Sequence, residues 1–393
     1  MRAGRLKGAG KRALCLLLIA SLPILPGCWD RKELNEIALI RALGIDRTED
    51  GQIEMTLLQA IPQRVGTDSG TGGGGKQQQM VLSARGVTIP EAQSKLQEKM
   101  GRRIFMGHQE VVVLGKRLAK TGIWEALDYF ARHPGLRKDA FVFVTESSPK
   151  EIFETVAPGE TISTGTLYKM VKLERAVNLT LMRLLQEVSG DAEAAGIPVV
   201  MKVNDTTLAM DGTAVFRGDK MVDHLDRKAA EGLMWIRNEF TTRMVNTRLP
   251  GERGYVSMEV VRSEIELIPK IEGKKRRILL KVTSEDDVRF NGTRLTLYHP
   301  SNVDRIARAM ERILRDRIRQ TVEKVQKKDR ADVLGFAGAF HREYPEEWAK
   351  VKDRWNEQVF PRLDVDIQVR VHIRRPGVTD RPAGLPEEKV KER

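Results

Sequence analysis

Cysteine is nearly absent from this 393-residue chain, which has only Cys15 and Cys28, both close to the amino terminus. No disulfide framework and no Cys-rich metal site can therefore form in the rest of the chain. The six histidines are scattered, and neither His-Glu-x-x-His nor Gly-x-Ser-x-Gly occurs. The sequence thus predicts no metal site and gives no support for an enzyme.

Long apolar runs are also missing. The apolar run from Ala13 to Leu25 is shorter than the ~20 residues that span a bilayer, and no later run is longer. Five Lys and Arg residues precede it without an acid between them. A basic start, a short apolar middle and a small residue before a cleavage point are typical of a secretory signal peptide. We therefore predict that residues 1–27 are a signal peptide that is removed.

The end of this segment predicts a lipid anchor. Leu25-Pro26-Gly27-Cys28 resembles the lipobox of bacterial lipoproteins, in which the cysteine becomes the lipidated first residue. The expected group at Cys28 is a thioether-linked diacylglycerol, with an acyl chain such as palmitate on its amino group as an open alternative. Two or three chains anchor firmly, because each buried methylene contributes ~0.8 kcal/mol. A plain signal peptide with a chance cysteine is the competing interpretation, and no other cofactor is expected.

The residues that follow carry a family resemblance. The run Cys28-Trp29-Asp30-Arg31-Lys32-Glu33-Leu34-Asn35-Glu36, and then Ala42 to Asp46, resembles the start of the Ger(x)C spore germination lipoproteins. Further segments fit the same family pattern in order: Gly107-His108, Val111 to Gly115, Leu127 to Pro134 and Gly212 to Val222. Asp223 and His224 depart from it, because family members usually place Gly and an aromatic residue there.

The resemblance implies the C subunit of a nutrient germinant receptor. Such a subunit lies on the outer face of the spore inner membrane, beside an A subunit and a polytopic B subunit, and would couple nutrient sensing to germination by protein contacts without covalent chemistry. Direct germinant binding stays open. The alternatives are a solute-binding lipoprotein of a transporter, which would show two similar α/β lobes, and a secreted hydrolase, for which motifs are missing.

The segment after the lipid is a candidate docking site. Trp29 has an amphipathic ring suited to the membrane interface, and Arg31 and Glu33 are charges that could pair with a membrane-embedded neighbour. We hypothesise that Trp29–Glu36 docks onto the other receptor subunits. The alternative is that it only spaces the body from the lipid.

The chain is basic, with a net charge of +13 that becomes 13 − 5 = +8 once the signal peptide is removed. Attraction to anionic lipid headgroups is one use for this charge, and simple solvation of surface residues is the other. A nucleic-acid partner is not expected, because the basic face of the long helix predicted from Ser301 carries no aromatic rings for base stacking.

The periodicities predict a multi-domain α+β fold of mostly antiparallel sheets with packed helices. An Asp50-Gly51 turn predicts a hairpin over 37–61, and capping boxes predict helices after Thr88 and Ser148. Alternating apolar residues predict a strand over 363–373. We divide the mature chain into an N-terminal domain over 28–195, with two subdomains as an option, and a C-terminal domain over 196–375. A flexible Gly-rich loop over 66–79 and a polar tail over 376–393 complete the prediction.

Overall fold

The computed structural model describes residues 36–61, 79–173, 176–239, 243–273, 275–377 and 390. The strands are β1 (Ile37–Arg47), β2 (Ile53–Ala60), β3 (Gln79–Gly86), β4 (Arg103–Phe105), β5 (Val111–Gly115), β6 (Phe141–Thr145), β7 (Ala194–Asn204), β8 (Thr207–Arg217), β9 (Lys220–Leu225), β10 (Arg243–Thr247), β11 (Val256–Glu272), β12 (Lys275–Asn291) and β13 (Asp364–Arg375). The α-helices are α1 (Ile89–Glu98), α2 (Lys116–Thr121), α3 (Trp124–Arg132), α4 (Pro149–Glu154), α5 (Ser163–Lys172), α6 (Leu181–Val188), α7 (Arg227–Ile236), α8 (Pro300–Glu323), α9 (Phe336–Glu343) and α10 (Pro345–Ala349).

Nine strands form one mixed sheet in the order β3-β2-β1-β5-β6-β7-β8-β9, with β4 beside β1. The central strands β1, β5, β6 and β7 run parallel, while the outer hairpins are antiparallel. Parallel neighbours need crossover connections, and α2 to α6 lie in the segments that link β5, β6 and β7. The α+β class is confirmed, with more parallel pairing at the centre than the sequence indicates.

The second sheet has four strands in the order β10-β11-β12-β13. Its two 17-residue strands β11 and β12 form a hairpin, which turns at Gly273 with a positive φ of 61°. The long helix α8 packs on this sheet through an apolar stripe, which is buried at Ile306, Met310, Leu314, Ile318 and Val322. Strand β13 alternates as predicted, with Ile367, Val369 and Val371 buried.

Helix α7 links the two sheets. It follows β9 of the first sheet and packs against both β8 and α8. The hydroxyl of Thr321 in α8 donates to the carbonyl oxygen of Ala229 in α7 at 3.0 Å. One continuous apolar core therefore contains Val215 from the first sheet and Leu280 from the second.

The predicted domain boundary after residue 195 falls inside β7, and β7, β8 and β9 all pair within the first sheet. A division by sheet would instead come after Leu225. Whether 28–195 and 196–375 fold as separate units stays a prediction.

Local signals agree with the structure in most places. Thr88 and Ser148 cap α1 and α4, as their capping boxes predict. The predicted cap at Ser301 is wrong, because α8 begins at Pro300 after His299 and Ser301 lies inside its first turn. Helix α2 is separated from α3 at Gly122, whose φ of 129° breaks the helix.

The predicted Gly-rich loop lies outside the described residues except for its last member, Gln79. Gln79 is buried at the start of β3, where its amide nitrogen donates to the carbonyl oxygen of Phe153 at 2.7 Å. Its amide oxygen accepts from the backbone nitrogen of Ser163 at 3.0 Å. This side chain fixes the end of α4 and the start of α5 against β3, so Gln79 belongs to β3 and not to the predicted loop.

Candidate interaction surfaces

The predicted lipidation site Cys28 and the predicted docking residues Trp29, Arg31 and Glu33 lie outside the described residues. The described chain begins at Glu36, whose carbonyl oxygen accepts from the backbone nitrogen of Arg103 at 2.8 Å. From Ile37 onward the chain is paired in β1 beside β4. Eight residue steps separate Cys28 from Glu36, so this stretch can extend over at most about 29 Å.

An aromatic groove lies between the first turn of α1 and helix α3. It encloses about 490 Å³ and is lined in part by Ile89, Pro90, Trp124, Tyr129 and His133. The indole of Trp124 is 61% exposed at its edge. Such a concave, largely apolar surface suits one aromatic or aliphatic side chain of a partner.

The floor of this aromatic groove is fixed by Tyr129. Its hydroxyl donates to the amide oxygen of Gln93 at 2.7 Å, and its ring centroid lies 5.3 Å from that of His133. Burial raises the pKa of Tyr129, so the phenol stays protonated and acts as a donor. Charged residues at the rim are already paired, with Arg47 bonded to Glu125 at 3.0 Å and Arg132 to Asp128 at 2.8 Å.

A charge network joins α6 to the end of α7. Arg183 bonds Glu187 at 2.8 Å and Glu239 at 2.7 Å, while Arg237 bonds Glu239 at 2.9 Å and also contacts Glu187. The side chain of Arg237 is only 6% exposed. Burial disfavours its charge, but Glu239 and Glu187 outweigh this effect and raise the pKa of Arg237. Two cations and two anions balance, so the network holds the elements together without leaving a free charge.

A cavity of about 480 Å³ adjoins this network, between α6 and the segment 332–335. Contacts near its rim connect the first sheet to the C-terminal helices. The imidazole of His341 lies 2.9 Å from the carboxylate of Asp191, and the side chain of Asn356 donates to the carbonyl oxygen of Ala192 at 2.5 Å. The cavity therefore lies where the two halves of the chain meet.

His108 is exposed, and its ring lies 5.5 Å from that of Phe105. Within the described ranges, no group of three or more His, Cys, Asp or Glu side chains is placed to hold a metal ion. Asp364 and Asp366 are exposed on β13. In the same described part of the chain, no helix is long and apolar enough to cross a bilayer.

Sequence reasoning missed Trp124 and Arg237. A signal for Trp124 is present, because it lies outside the apolar stripe that Ile123, Leu127 and Phe130 form along the helix. Arg237 gives no such signal, since its partners Glu187 and Glu239 become neighbours only when α6 packs beside α7.

The protein has an α+β fold with two mixed sheets. Comparisons with known proteins identify its family. Residues 30–202 match the family described as "Spore germination protein N-terminal domain". Residues 211–377 match "Spore germination B3/ GerAC like, C-terminal". The chain belongs to the Ger(x)C family of germinant receptor C subunits.

Relatives match over nearly their whole length. Spore germination protein KC of Bacillus subtilis (strain 168) is 29% identical, over 95% of this chain and 97% of that protein. Spore germination protein A3 of the same organism is 24% identical, over 92% and 97%. The crystal structure of the GerBC protein shares the fold, with a TM-score of 0.58, 19% identity and coverage of 88% of this chain and 99% of that one.

Proposed function

We propose that this protein is a non-enzymatic, lipid-anchored subunit of a germinant receptor that couples nutrient sensing to germination through protein contacts. The observation that carries the proposal is the match to germination proteins along almost the entire chain. The aromatic groove around Trp124 supports it as a surface suited to a protein side chain. The partners are the A and B subunits of the receptor.

The proposed anchor is a diacylglycerol on Cys28, added when residues 1–27 are removed. It would hold the body on the outer face of the spore inner membrane. The short stretch of chain between Cys28 and Glu36 supports this arrangement, because a reach of at most about 29 Å keeps the start of the first sheet close to the headgroups. A tethered body meets its membrane partners at high effective concentration, so weak contacts suffice.

Trp29, Arg31 and Glu33 form the proposed docking contact within this reach. An indole favours the headgroup level, and the two charges can pair with exposed loops of a neighbouring subunit. Since β1 begins at Ile37, the segment leads directly into the folded body, and force on it would be transmitted to the centre of the first sheet. In the described part of the chain, the nine-stranded and four-stranded sheets are not two similar lobes, which does not favour a solute-binding lipoprotein.

The proposal is tested by replacing each cysteine separately. In Cys28→Ala the protein should leave the membrane fraction and lose its lipid adduct in mass spectrometry, and nutrient germination should fall. The matched control is Cys15→Ala, which removes the other cysteine and should stay acylated in the membrane. If the wild type carries no lipid, or if Cys28→Ala remains in the membrane and germinates normally, the proposed anchor is wrong.

A further inference from the structure

One end of the four-stranded sheet carries exposed aromatic rings. The pairing of Thr247 with Val256, and of Val256 with Asn291, places the end of β10, the start of β11 and the end of β12 together. Residues 248–255 and 290–298, which we name the aromatic tip, extend from this end. Their exposed rings are Tyr255 at 46%, Phe290 at 57% and Tyr298 at 75%.

The exposed charge of the aromatic tip is entirely positive. Arg248, Arg253 and Arg294 are exposed, and the guanidinium of Arg248 lies 4.3 Å from the centroid of the Tyr255 ring. The single acid in these two segments is Glu252, whose side chain is 6% exposed and lies 3.7 Å from Arg305. An anionic surface would therefore meet three arginines and no exposed carboxylate.

We propose that the aromatic tip binds the surface of an anionic lipid bilayer. Arginine is attracted to an anionic leaflet, tyrosine favours the headgroup level, and Phe290 adds an apolar ring that can enter the boundary with the acyl chains. The three rings lie outside the two cavities described above, which argues against a pocket for a single partner side chain. The inference rests on the proposed function in one respect, because the lipid anchor brings the aromatic tip to a membrane. The attraction between the tip and lipid is argued from the residues of the tip alone.

Flotation with lipid vesicles tests this inference. The protein is the non-acylated chain from residue 28 onward with Cys28→Ser, which contains every described residue. It should float with vesicles of one part phosphatidylglycerol to three parts phosphatidylcholine, and only weakly with phosphatidylcholine alone. Combining Arg248→Gln, Arg253→Gln and Arg294→Gln should lower partitioning onto the anionic vesicles by at least about tenfold, because each arginine contributes near the surface. Combining Phe290→Ser with Tyr298→Ser should also lower it several-fold.

The matched control removes three exposed arginines from α8, by Arg308→Gln, Arg312→Gln and Arg319→Gln. It carries the same change in net charge and should reduce binding by less than twofold. Equal loss in the control and the tip variant, or wild-type binding by the tip variants, would overturn the inference. So would normal vesicle binding by tip variants that no longer retain the A and B subunits in detergent, because the tip would then be a protein interface. Because the chain is not acylated, a failed anchor at Cys28 cannot be mistaken for a failed tip.

Discussion

At the scale of single residues, the buried carboxylate of Asp332 organises the local structure through its hydrogen bonds. The carboxylate of Asp332 is 1% exposed and accepts from the backbone nitrogens of Leu334, Phe336 and Ala337 at 3.2, 3.2 and 2.6 Å. It also accepts from the indole nitrogen of Trp355 at 2.9 Å. Burial raises the pKa of Asp332 despite these four donors. One side chain thus starts α9 and holds it against the segment around Trp355.

We expect Asp332→Asn to lower the free energy of unfolding by about 2–4 kcal/mol. The amide keeps the shape of the side chain but points an N–H group at buried donors that need an acceptor. Urea unfolding followed by tryptophan fluorescence would measure the change. Asp353→Asn, at an exposed position nearby, is the control and should change stability by less than about 0.5 kcal/mol. Equal stability of the two variants would contradict this account of Asp332.

Asp286 on β12 should give the protein a pH-dependent stability. Its side chain is buried, and burial raises its pKa to about 7, an effect that Ser284 opposes and Asp287 increases. The folded state therefore binds this proton more tightly than the unfolded state, whose carboxyl has a pKa near 3.8. The stabilisation by this proton is fully present below pH 3.8 and is lost as the pH rises through about 7.

Asp286→Asn removes this titration. As the pH rises from 4.5 to 7.5, the wild type should lose stability relative to the variant. The change amounts to about 4 kcal/mol at most, because each pKa unit corresponds to ~1.4 kcal/mol. Urea unfolding at several pH values would measure it. Asp366→Asn, at an exposed position on β13, should show no such trend. A pH-independent difference for Asp286→Asn would show that the carboxyl is ionised throughout.

At the scale of elements, the contact between α7 and α8 determines how the sheets are joined. A Cβ atom on Gly232 would lie 2.1 Å from the hydroxyl oxygen of Thr321 and 3.1 Å from the carbonyl oxygen of Arg317. The helices therefore approach as closely as they do only because position 232 has no side chain. Glycine at this point costs helix propensity, and close packing of α7 on α8 offsets that cost.

Gly232→Ala should destabilise the protein by about 1–3 kcal/mol through overpacking, although alanine favours a helix. The control is Gly338→Ala in α9, where the nearest atom to the added Cβ is the flexible end of Arg342 at 3.3 Å. That variant should be neutral or up to about 1 kcal/mol more stable. Thermal and urea unfolding would measure the change in stability of both variants. Stabilisation by Gly232→Ala would mean that the two helices are not in tight contact.

The elements also show how far the sequence predicts the fold. Strand β13 and the buried stripe of α8 follow from periodicity, because side chains alternate along a strand and recur every 3.6 residues along a helix. The parallel pairing of β1 with β5, and of β4 with β1, does not follow, since it joins residues distant in sequence. Helix α5 does not follow from the sequence either, because its first residue, Ser163, is held by Gln79 of β3, which is distant in sequence.

At the scale of the whole molecule, two sheets share one core. The charge network of two cations and two anions joins α6 to the end of α7, the helix that links the sheets. The predicted domain boundary near 195 stays a prediction, and composition does not reveal that β7 continues the central sheet with an apolar pattern like that of the strands before it. The candidate site was only partly predictable. The lipobox and the run after Cys28 are local signals, whereas the aromatic groove and the aromatic tip need segments that are far apart in the sequence.

The central claim is that this subunit acts by contact with its receptor partners, and co-purification from spore membranes tests it most directly. A tagged wild-type chain should retain the A and B subunits. The combination Trp29→Ala, Arg31→Ala and Glu33→Ala, with Cys28 intact, should retain at least fivefold less of them while staying acylated and folded. Trp124→Ala, a single exposed indole in the folded body, provides a comparison that separates the docking segment from the aromatic groove. Capture of neither A nor B by the wild-type chain would contradict the account.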